Sequence, residues 1–505
     1  MMLRKNVRGQ KWIALGVLAA GLSLIVLDGT IVGVALPRII ESLGLTLTDA
    51  QWVTSLYSVV FAAFLLTFGK LGDIYGRRRI FLTGVAIFIA GSLIAACAGS
   101  ARLLIAARAV QGLGGSMVLP TTLSIVNATF RGKDRAIAFG VWGAVMAGMA
   151  AVGPLLGGWL TTAFTWRYIF LVNIPLGLII IALGVLYVPA SKAGGDMPRD
   201  LLGFVLSVAG SGTVVYGLIE DSARVLIALG ILLLAIFAWW ESRRADTALL
   251  DMRLFRLPTF AWGNLTAGAV ATGEFAMIFI LPLYLVNVRQ HSIMQAGWVL
   301  AAMAIGALVA GGSARHLAAA LGAARAVILG LALEVAGVAA AVVVVHGERA
   351  TGWLTLALVV YGIGLGIASA QLTSLVLADV SPSQSGIGSA TQSTVRQFGS
   401  ALGAAVAGAV LAARLNATLP PSIAGPVASS AGGAIHAFPG ADSIATAFAH
   451  AASTSILVAL VFLVLGLIGS VRVWQVSRKQ ELARETVAVE VAGNTHISRD
   501  YQSLV

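Results

Sequence analysis

Cysteine is all but absent, with Cys97 the single one in 505 residues. No disulfide can form within the chain, and no Cys-x-x-Cys metal cluster is present. Charge is scarce as well. Only 11% of the residues are charged and 58% are hydrophobic, whereas a water-soluble domain carries about 25% charged residues. That shortage excludes an ordinary soluble protein and implies a chain whose surface meets lipid. The six His are scattered and pair with no nucleophile, which argues against an enzyme. A Gly-x-x-x-x-Gly-Lys-[Ser/Thr] phosphate loop is missing, which argues against an ATP-driven machine in one chain. Acidic residues are outnumbered, 21 against 33 basic ones, for a net charge of +12. No basic patch interleaved with aromatics lies outside short loops, so nucleic acid is not the expected partner.

What the chain does have is long apolar runs. A helix needs about 20 mostly apolar residues to cross the hydrocarbon core. Fourteen segments qualify: 12–36, 51–69, 80–98, 102–126, 137–162, 168–189, 201–219, 225–240, 260–287, 294–312, 326–346, 351–378, 386–413 and 448–472. Arg4, Lys5, Arg8 and Lys11 precede the first run, as in a secretory leader. The run exceeds that length and lacks a small-residue cleavage site, so it reads as the first span. With both termini on one side, that side's segments hold 24 of the 33 Lys and Arg, and the opposite loops hold seven. Such a bias predicts cytoplasmic termini and accounts for the net charge without a nucleic acid. The loop at 415–447 is rich in Ala, Gly, Pro and Ser and is expected to be mobile. A short polar tail is expected after residue 474.

Shifting the chain by 246 residues aligns several landmarks. Asp28 falls on Glu274 and Trp52 on Trp298. Gly76, Arg79 and Gly84 fall on Gly322, Arg325 and Gly330, and Gly153 and Gly157 on Gly399 and Gly403. The expected fold is an all-α integral membrane protein of fourteen transmembrane helices. Two six-helix bundles are related by a parallel repeat, and two extra helices lie between them. The expected units are an N-terminal bundle at 1–195, an inserted pair with its loop at 196–257, a C-terminal bundle at 258–476 and a tail at 477–505.

The loop after the second span reads Gly69-Lys70-Leu71-Gly72-Asp73-Ile74-Tyr75-Gly76-Arg77-Arg78-Arg79. It resembles the Gly-x-Leu-x-Asp-x-x-Gly-basic-basic loop of the major facilitator superfamily. Asp28-Gly29-Thr30 followed by Val34-Ala35-Leu36-Pro37 resembles the first-span motif of its multidrug exporters. Arg108-Ala109-Val110-Gln111-Gly112 resembles the Arg-x-x-Gln-Gly motif of span four. Gly140 through Gly153-Pro154-Leu155-Leu156-Gly157-Gly158 resembles the span-five antiporter motif, with Met149 where a third glycine is usual. Trp166 through Gly177 completes the pattern. With fourteen spans, the chain resembles the drug:proton antiporter branch, although its C-terminal counterpart of the Asp73 loop has no Asp. The resemblance implies alternating access, with Gly69, Asp73, Gly76, Arg77, Arg78, Gly153, Pro154, Gly157 and Gly158 serving conformational gating. Glycines at this spacing equally serve close helix packing.

Five ionisable residues fall well inside spans: Asp28, Arg108, Glu274, Glu334 and Arg396. An ionised Asp at a membrane centre costs roughly 2.5–3.5 kcal/mol, so each must be neutralised, paired or used. Asp28 and Arg108 lie at similar depth, about 12 Å and 9 Å from the far ends of their spans at 1.5 Å per residue. Arg108 shares a face with Gln111 and two glycines, a narrow stripe suited to a wet interior. The resemblance implies that spans one and four both line a central cavity, so Asp28 and Arg108 are the expected proton-coupling pair. Glu274 lies near the midplane among apolar neighbours. With Arg396, Gln111, Gln392, Met277, Phe275 and Phe279 it forms the expected substrate cavity. Arg396 either pairs with Glu274 or touches substrate, and Glu334 is assigned a structural or interfacial role. The resulting expectation is a proton-coupled exporter of lipophilic, often cationic compounds in a bacterial cytoplasmic membrane. The alternative is an exporter of one metabolite, lipid or self-made antibiotic. No cofactor beyond the coupling proton is expected, the partners are a small-molecule substrate and the bilayer, and the expected state is a monomer.

Overall fold

Each of the fourteen apolar segments lies on helix, as bilayer physics requires when no water is present to satisfy backbone polar groups. A computed structural model describes residues 2–130, 132–192, 200–220, 223, 225–244, 250–380 and 385–502. Side chains are described within 10–479, apart from those of the omitted residues and of 73, 132–133, 135–137, 139–140, 142–144, 146–147, 150–151, 315, 370 and 385–386. The first half comprises α1 (Met2–Leu43), α2 (Leu47–Tyr75), α3 (Arg77–Ala96), α4 (Ala101–Thr129), α5 (Gly132–Ala163), and the pair α6 (Tyr168–Leu171) and α7 (Asn173–Tyr187). The inserted helices are α8 (Leu201–Ile219) and α9 (Val225–Ser242). The second half comprises α10 (Pro258–Asn287), α11 (Ile293–Leu321), α12 (Ala323–His346), α13 (Thr351–Val376), α14 (Ser385–Thr418), the short α15 (Pro421–Ser429) and α16 (Ala441–Gln502). Among the described residues, thirteen helical stretches are long and apolar enough to cross a membrane. The 32-residue α5 covers the remaining expected span.

The sixth span is interrupted. Pro175 has no N–H to donate and its ring crowds the carbonyl four residues back, that of Leu171. The helix stops at Leu171 and restarts at Asn173. One feature differs from the sequence reading. The 415–447 loop is ordered: α15 and a short 3-10 turn at Ile435–Ala437 bury Val427, Ala431 and Ile435 against the bundle. The Asn287 amide donates to the Ala431 carbonyl at 2.9 Å, and Gly432, at φ 96°, lies against the Phe448 ring. Small residues were read as slack, but here they permit close packing. The polar tail expected after residue 474 is helical, a continuation of α16.

The two halves repeat in detail. In the first, α4 packs on α2 and α3, and α1 on α5 and α7. In the second, α13 packs on α11 and α12, and α10 on α14 and α16. Thr46 and Ser292, 246 residues apart, both open their helices with a capping box, closed by Asp49 and Gln295. Such caps contribute about 1 kcal/mol each. Gly76 (φ 111°) and Gly322 (φ 84°) both turn the chain between the second and third helices of a half, at a φ that side chains resist.

The halves meet near the face opposite the chain termini. There Gln51 donates to the Ala405 carbonyl at 2.8 Å and Ser55 to the Ala401 carbonyl at 3.1 Å, joining α2 to α14. Gly297 and Gly158 join α11 to α5, where a Cβ on Gly297 would lie 2.8 Å from the Pro154 carbonyl oxygen. The inserted α8 lies across the α2–α14 seam. Val59, Val215, Ile219, Ala401 and Ala405 form one apolar cluster there, and Trp52 donates to Glu220 at 3.3 Å. The mostly exposed α9 lies against α8. At the terminal face Asp200 caps α8 and accepts from the Trp240 indole at 2.7 Å. Burial works to raise the Asp200 pKa, but hydrogen bonds from Glu241, Trp240 and the Gly203 amide outweigh it and hold the carboxyl below its ordinary range.

Candidate functional site

Four helices of the first half each send polar side chains to one point. Asp28 comes from α1, Ser92 from α3, Arg108 and Gln111 from α4, and Asn173 from the start of α7. Arg108 Nη1 and Asp28 Oδ2 form a close ion pair. Asp28 Oδ1 accepts from Gln111 Nε2 at 2.9 Å and from Asn173 Nδ2 at 3.2 Å. Ser92 Oγ accepts from the same two amides, at 2.9 and 3.2 Å. Arg108 also donates to Gln111 Oε1 at 2.8 Å and to the Val53 carbonyl at 3.2 Å, and its guanidinium lies 4.2 Å from the centre of the Tyr57 ring. The partners expected from depth and from the resemblance do meet.

Their surroundings differ from the expected wet stripe. Asp28 is 0% exposed and Arg108 2%. Glycines close the space: a Cβ on Gly91 would sit 2.9 Å from the Gln111 nitrogen, and one on Gly112 would sit 2.5 Å from the Tyr57 carbonyl oxygen. With α3 and α2 held that tightly to α4, water is replaced by fixed amide and hydroxyl groups. Gln111, assigned to the substrate cavity from sequence, belongs to this closed network. Ser92, Tyr57 and Asn173 were not singled out as site residues. Their signal was a lone polar group on an otherwise apolar helix, and for Asn173 also the nearby Pro175.

The second half presents a different pair. Glu274 of α10 and Arg396 of α14 approach to 3.8 Å, with side-chain exposures of 13% and 34%. The separation is too long for a hydrogen bond. Gln392 is buried on the same helix as Arg396 and donates to Thr373 Oγ1 at 3.3 Å. Phe275 is half-buried beside Glu274, while Met277 and Phe279 lie within the apolar core. Of the expected cavity residues, the structure thus brings Glu274 and Arg396 together, and it keeps Met277 and Phe279 among packed side chains. Glu334 is fully buried on α12.

The segment Gly69–Arg78, read as a loop from sequence, is helical except at Gly76, and at the terminal face it ties helix ends together. Gly69 lies against Pro120 and Gly72 against Thr121. Arg77 donates to the Ser124 carbonyl at 3.2 Å, and Arg78 to the Val188 carbonyl at 3.3 Å, favourable ends for cations near helix C-termini. The Asp73 side chain lies outside the described residues. Gly153 and Gly157 leave no room for a Cβ against Thr30 and Ile31 of α1, and Gly158 faces Ile293 of α11. Pro154 offers its carbonyl to the same α11 contact. The glycine stripe therefore packs α5 between both halves.

The family model described as Major Facilitator Superfamily matches residues 18–404. The chain belongs to the major facilitator superfamily. As a major facilitator it is similar to the multidrug resistance protein Stp of Mycobacterium tuberculosis, 33% identical over 80% of this chain and 76% of that one. It is also similar to the riboflavin transporter RibZ of Clostridioides difficile, 31% identical over 78% and 87% of the two chains. Among solved structures, a bacterial homologue of the human lysosomal transporter Spinster, in an inward-facing and occupied conformation, superposes with a TM-score of 0.62 at 17% identity. It covers 92% of this chain and 96% of its own. The protein is thus a multi-pass membrane transporter of the major facilitator fold that carries a small molecule, not an enzyme.

Proposed function

We propose that this major facilitator is a proton-coupled exporter of lipophilic, positively charged compounds. The observation that carries the reading is the partly exposed Glu274–Arg396 pair. A carboxylate held 3.8 Å from its arginine, with no hydrogen bond between them and the arginine side chain 34% exposed, is able to exchange that arginine for a cationic guest. Asp28 is the coupling acid. Its charge is answered by Arg108, Gln111 and Asn173 in the closed state, so protonating it disassembles a network that spans four helices. Each inward proton supplies roughly 2.3 kcal/mol per 100 mV of membrane potential. The closed seam opposite the termini, together with the 24-to-7 bias of basic residues, supports a cytoplasm-facing state in a bacterial inner membrane with both termini inside. Asp73 and the arginines beside it are assigned to conformational gating, as the resemblance implies. The similarity to multidrug resistance protein Stp supports a broad substrate range.

The test is proton-gradient-driven uptake of ethidium into inverted vesicles containing the protein. Accumulation that collapses with an uncoupler is expected. Gradient-independent equilibration of the dye rejects coupling. The similarity to the riboflavin transporter RibZ favours a second reading, export of one metabolite. Under that reading, riboflavin or another single compound competes with ethidium or is moved in its place.

A further inference from the structure

The second half buries a carboxyl group for which the Asp28 network has no counterpart. Glu334 is 0% exposed, and both its oxygens lack a hydrogen-bond partner. Its place is built by glycines. Gly330 and Gly337, one turn before and one turn after it on α12, press against α13. Cβ atoms there would lie 2.7 Å from the Gly364 oxygen and 2.6 Å from the Tyr361 nitrogen. A Cβ on Gly364 would in turn lie 3.0 Å from the Glu334 Cγ. The interface is thus backbone against backbone, with the glutamate stem filling the space that Gly364 leaves.

The repeat shows what was substituted. The residue 246 positions earlier is Phe88, fully buried in the first half's core. The tight approach of Gly91 to Gln111 is matched by that of Gly337 to Tyr361. At these matched positions the first half has Phe88 and Gln111, and the second has Glu334 and Tyr361. The Tyr361 hydroxyl is itself fully buried and unpartnered, as is Glu274 Oε2. The charged and titratable groups acting on Glu334 and Tyr361 are Glu274 of α10 and Arg396 of α14, together with each other. Among the described residues, α11 and α16, which also pack against α12, bring no charge to bear on Glu334. An ionised carboxylate with no donor in a dry interface is strongly disfavoured, whereas a neutral acid is tolerated.

We propose that Glu334 is a second proton-binding carboxyl of this transporter, holding its proton while Glu274 is ionised beside Arg396 and exchanging it with Glu274 when that ion pair opens. In the exchange the Glu334 O–H bond breaks and an O–H bond forms on a Glu274 oxygen, so the charge moves to Glu334 with no other reactant. The buried Tyr361 hydroxyl, which has no hydrogen-bond partner, is assigned in this scheme as the donor to whichever carboxylate is then ionised. The role of Glu274 here rests on the proposed substrate cavity, but the proton on Glu334 does not.

The test is infrared difference spectroscopy on the purified full-length protein in lipid vesicles. Wild type is expected to show the carbonyl stretch of a protonated, non-hydrogen-bonded carboxyl at neutral pH. Glu334→Gln should remove that band, and Glu274→Gln should retain it. Glu334→Met, similar in volume and without charge, should remove it too and leave the thermal midpoint no lower than that of wild type. A band that persists in both Glu334 variants overturns the proposal, as does a large loss of thermal stability in Glu334→Met. In a second arm, ethidium is added and the same band is followed. It is expected to lose intensity in wild type as the proton passes to Glu274 and to stay unchanged in Glu274→Gln. A wild-type band that bound ethidium leaves unchanged overturns the exchange. If ethidium neither binds nor moves while the Glu334 band is present, the cationic-substrate reading fails and the proton site stands.

Discussion

Asp28 and Glu274 occupy matching places 246 residues apart, on the first helix of each half, and each meets an arginine. The first pair is dry and saturated: Asp28 is fully buried and accepts from three side chains. The second is loose, separated by 3.8 Å with the arginine side chain 34% exposed. The scaffold fixes where an acid stands, and its neighbours decide what the acid does. In the first half Gln111, Ser92 and Asn173 convert a membrane carboxylate into a structural knot. In the second, Tyr361 and Val338 stand where Gln111 and Ser92 would be, and the acid keeps its freedom.

The sharpest way to break this comparison is to remove each charge in turn. Asp28→Asn should abolish uphill ethidium transport while leaving equilibrium binding close to wild type. Uphill accumulation at the normal rate would remove Asp28 from coupling. Arg108→Ala should destabilise the protein by about 3–5 kcal/mol, because it strands a buried carboxylate. Arg396→Ala should cost about 1 kcal/mol or less, as for an exposed pair. Thermal unfolding in detergent compares the two, and equal losses would erase the distinction. Glu274→Gln should weaken ethidium binding about tenfold, or roughly 1.4 kcal/mol, with a neutral probe unaffected. A uniform loss across probes would point to damaged packing instead.

The smallest effect concerns the turns before the capping boxes. The first half has buried Leu45 there, and the second has His291, whose ring bonds Thr351 at 2.8 Å. Burial, aided by the charge of Arg289, pushes the His291 pKa down. The unfolded chain therefore takes up a proton below pH about 6.5 that the folded site resists. Stability is fully present above that pH and declines as pH falls through it. His291→Asn should flatten this slope in thermal midpoints recorded from neutral to mildly acid pH. A slope identical to wild type would show that other groups set it.

Much of the architecture was legible because bilayer thickness leaves a plain trace in apolar run length, and because charge scarcity makes each buried ion conspicuous. The Asp28–Arg108 meeting followed from shared depth together with the resemblance, which sets spans one and four along one cavity. Dryness did not: it depends on Gly91 and Gly112, and glycine is too common in this chain to announce which copies seal an interface. The Thr46 and Ser292 caps were readable in register, but apolar patterning drew the eye past them. Asn173 required knowing that Pro175 breaks its helix one residue earlier. The ordered 415–447 segment was misread because small residues suit mobile loops and tight caps equally well. Gln111 went to the wrong cluster because a helical stripe gives direction but not the identity of the helix opposite.

The placement of α8 makes the molecule one-sided. The broadest contacts between the halves are α2 with α14 and α5 with α11; α8 lies across the first, with α9 behind it. That flank is therefore thickened by two layers of extra protein. Among the described residues the α5–α11 flank carries no inserted helix, so there the halves themselves face the lipid.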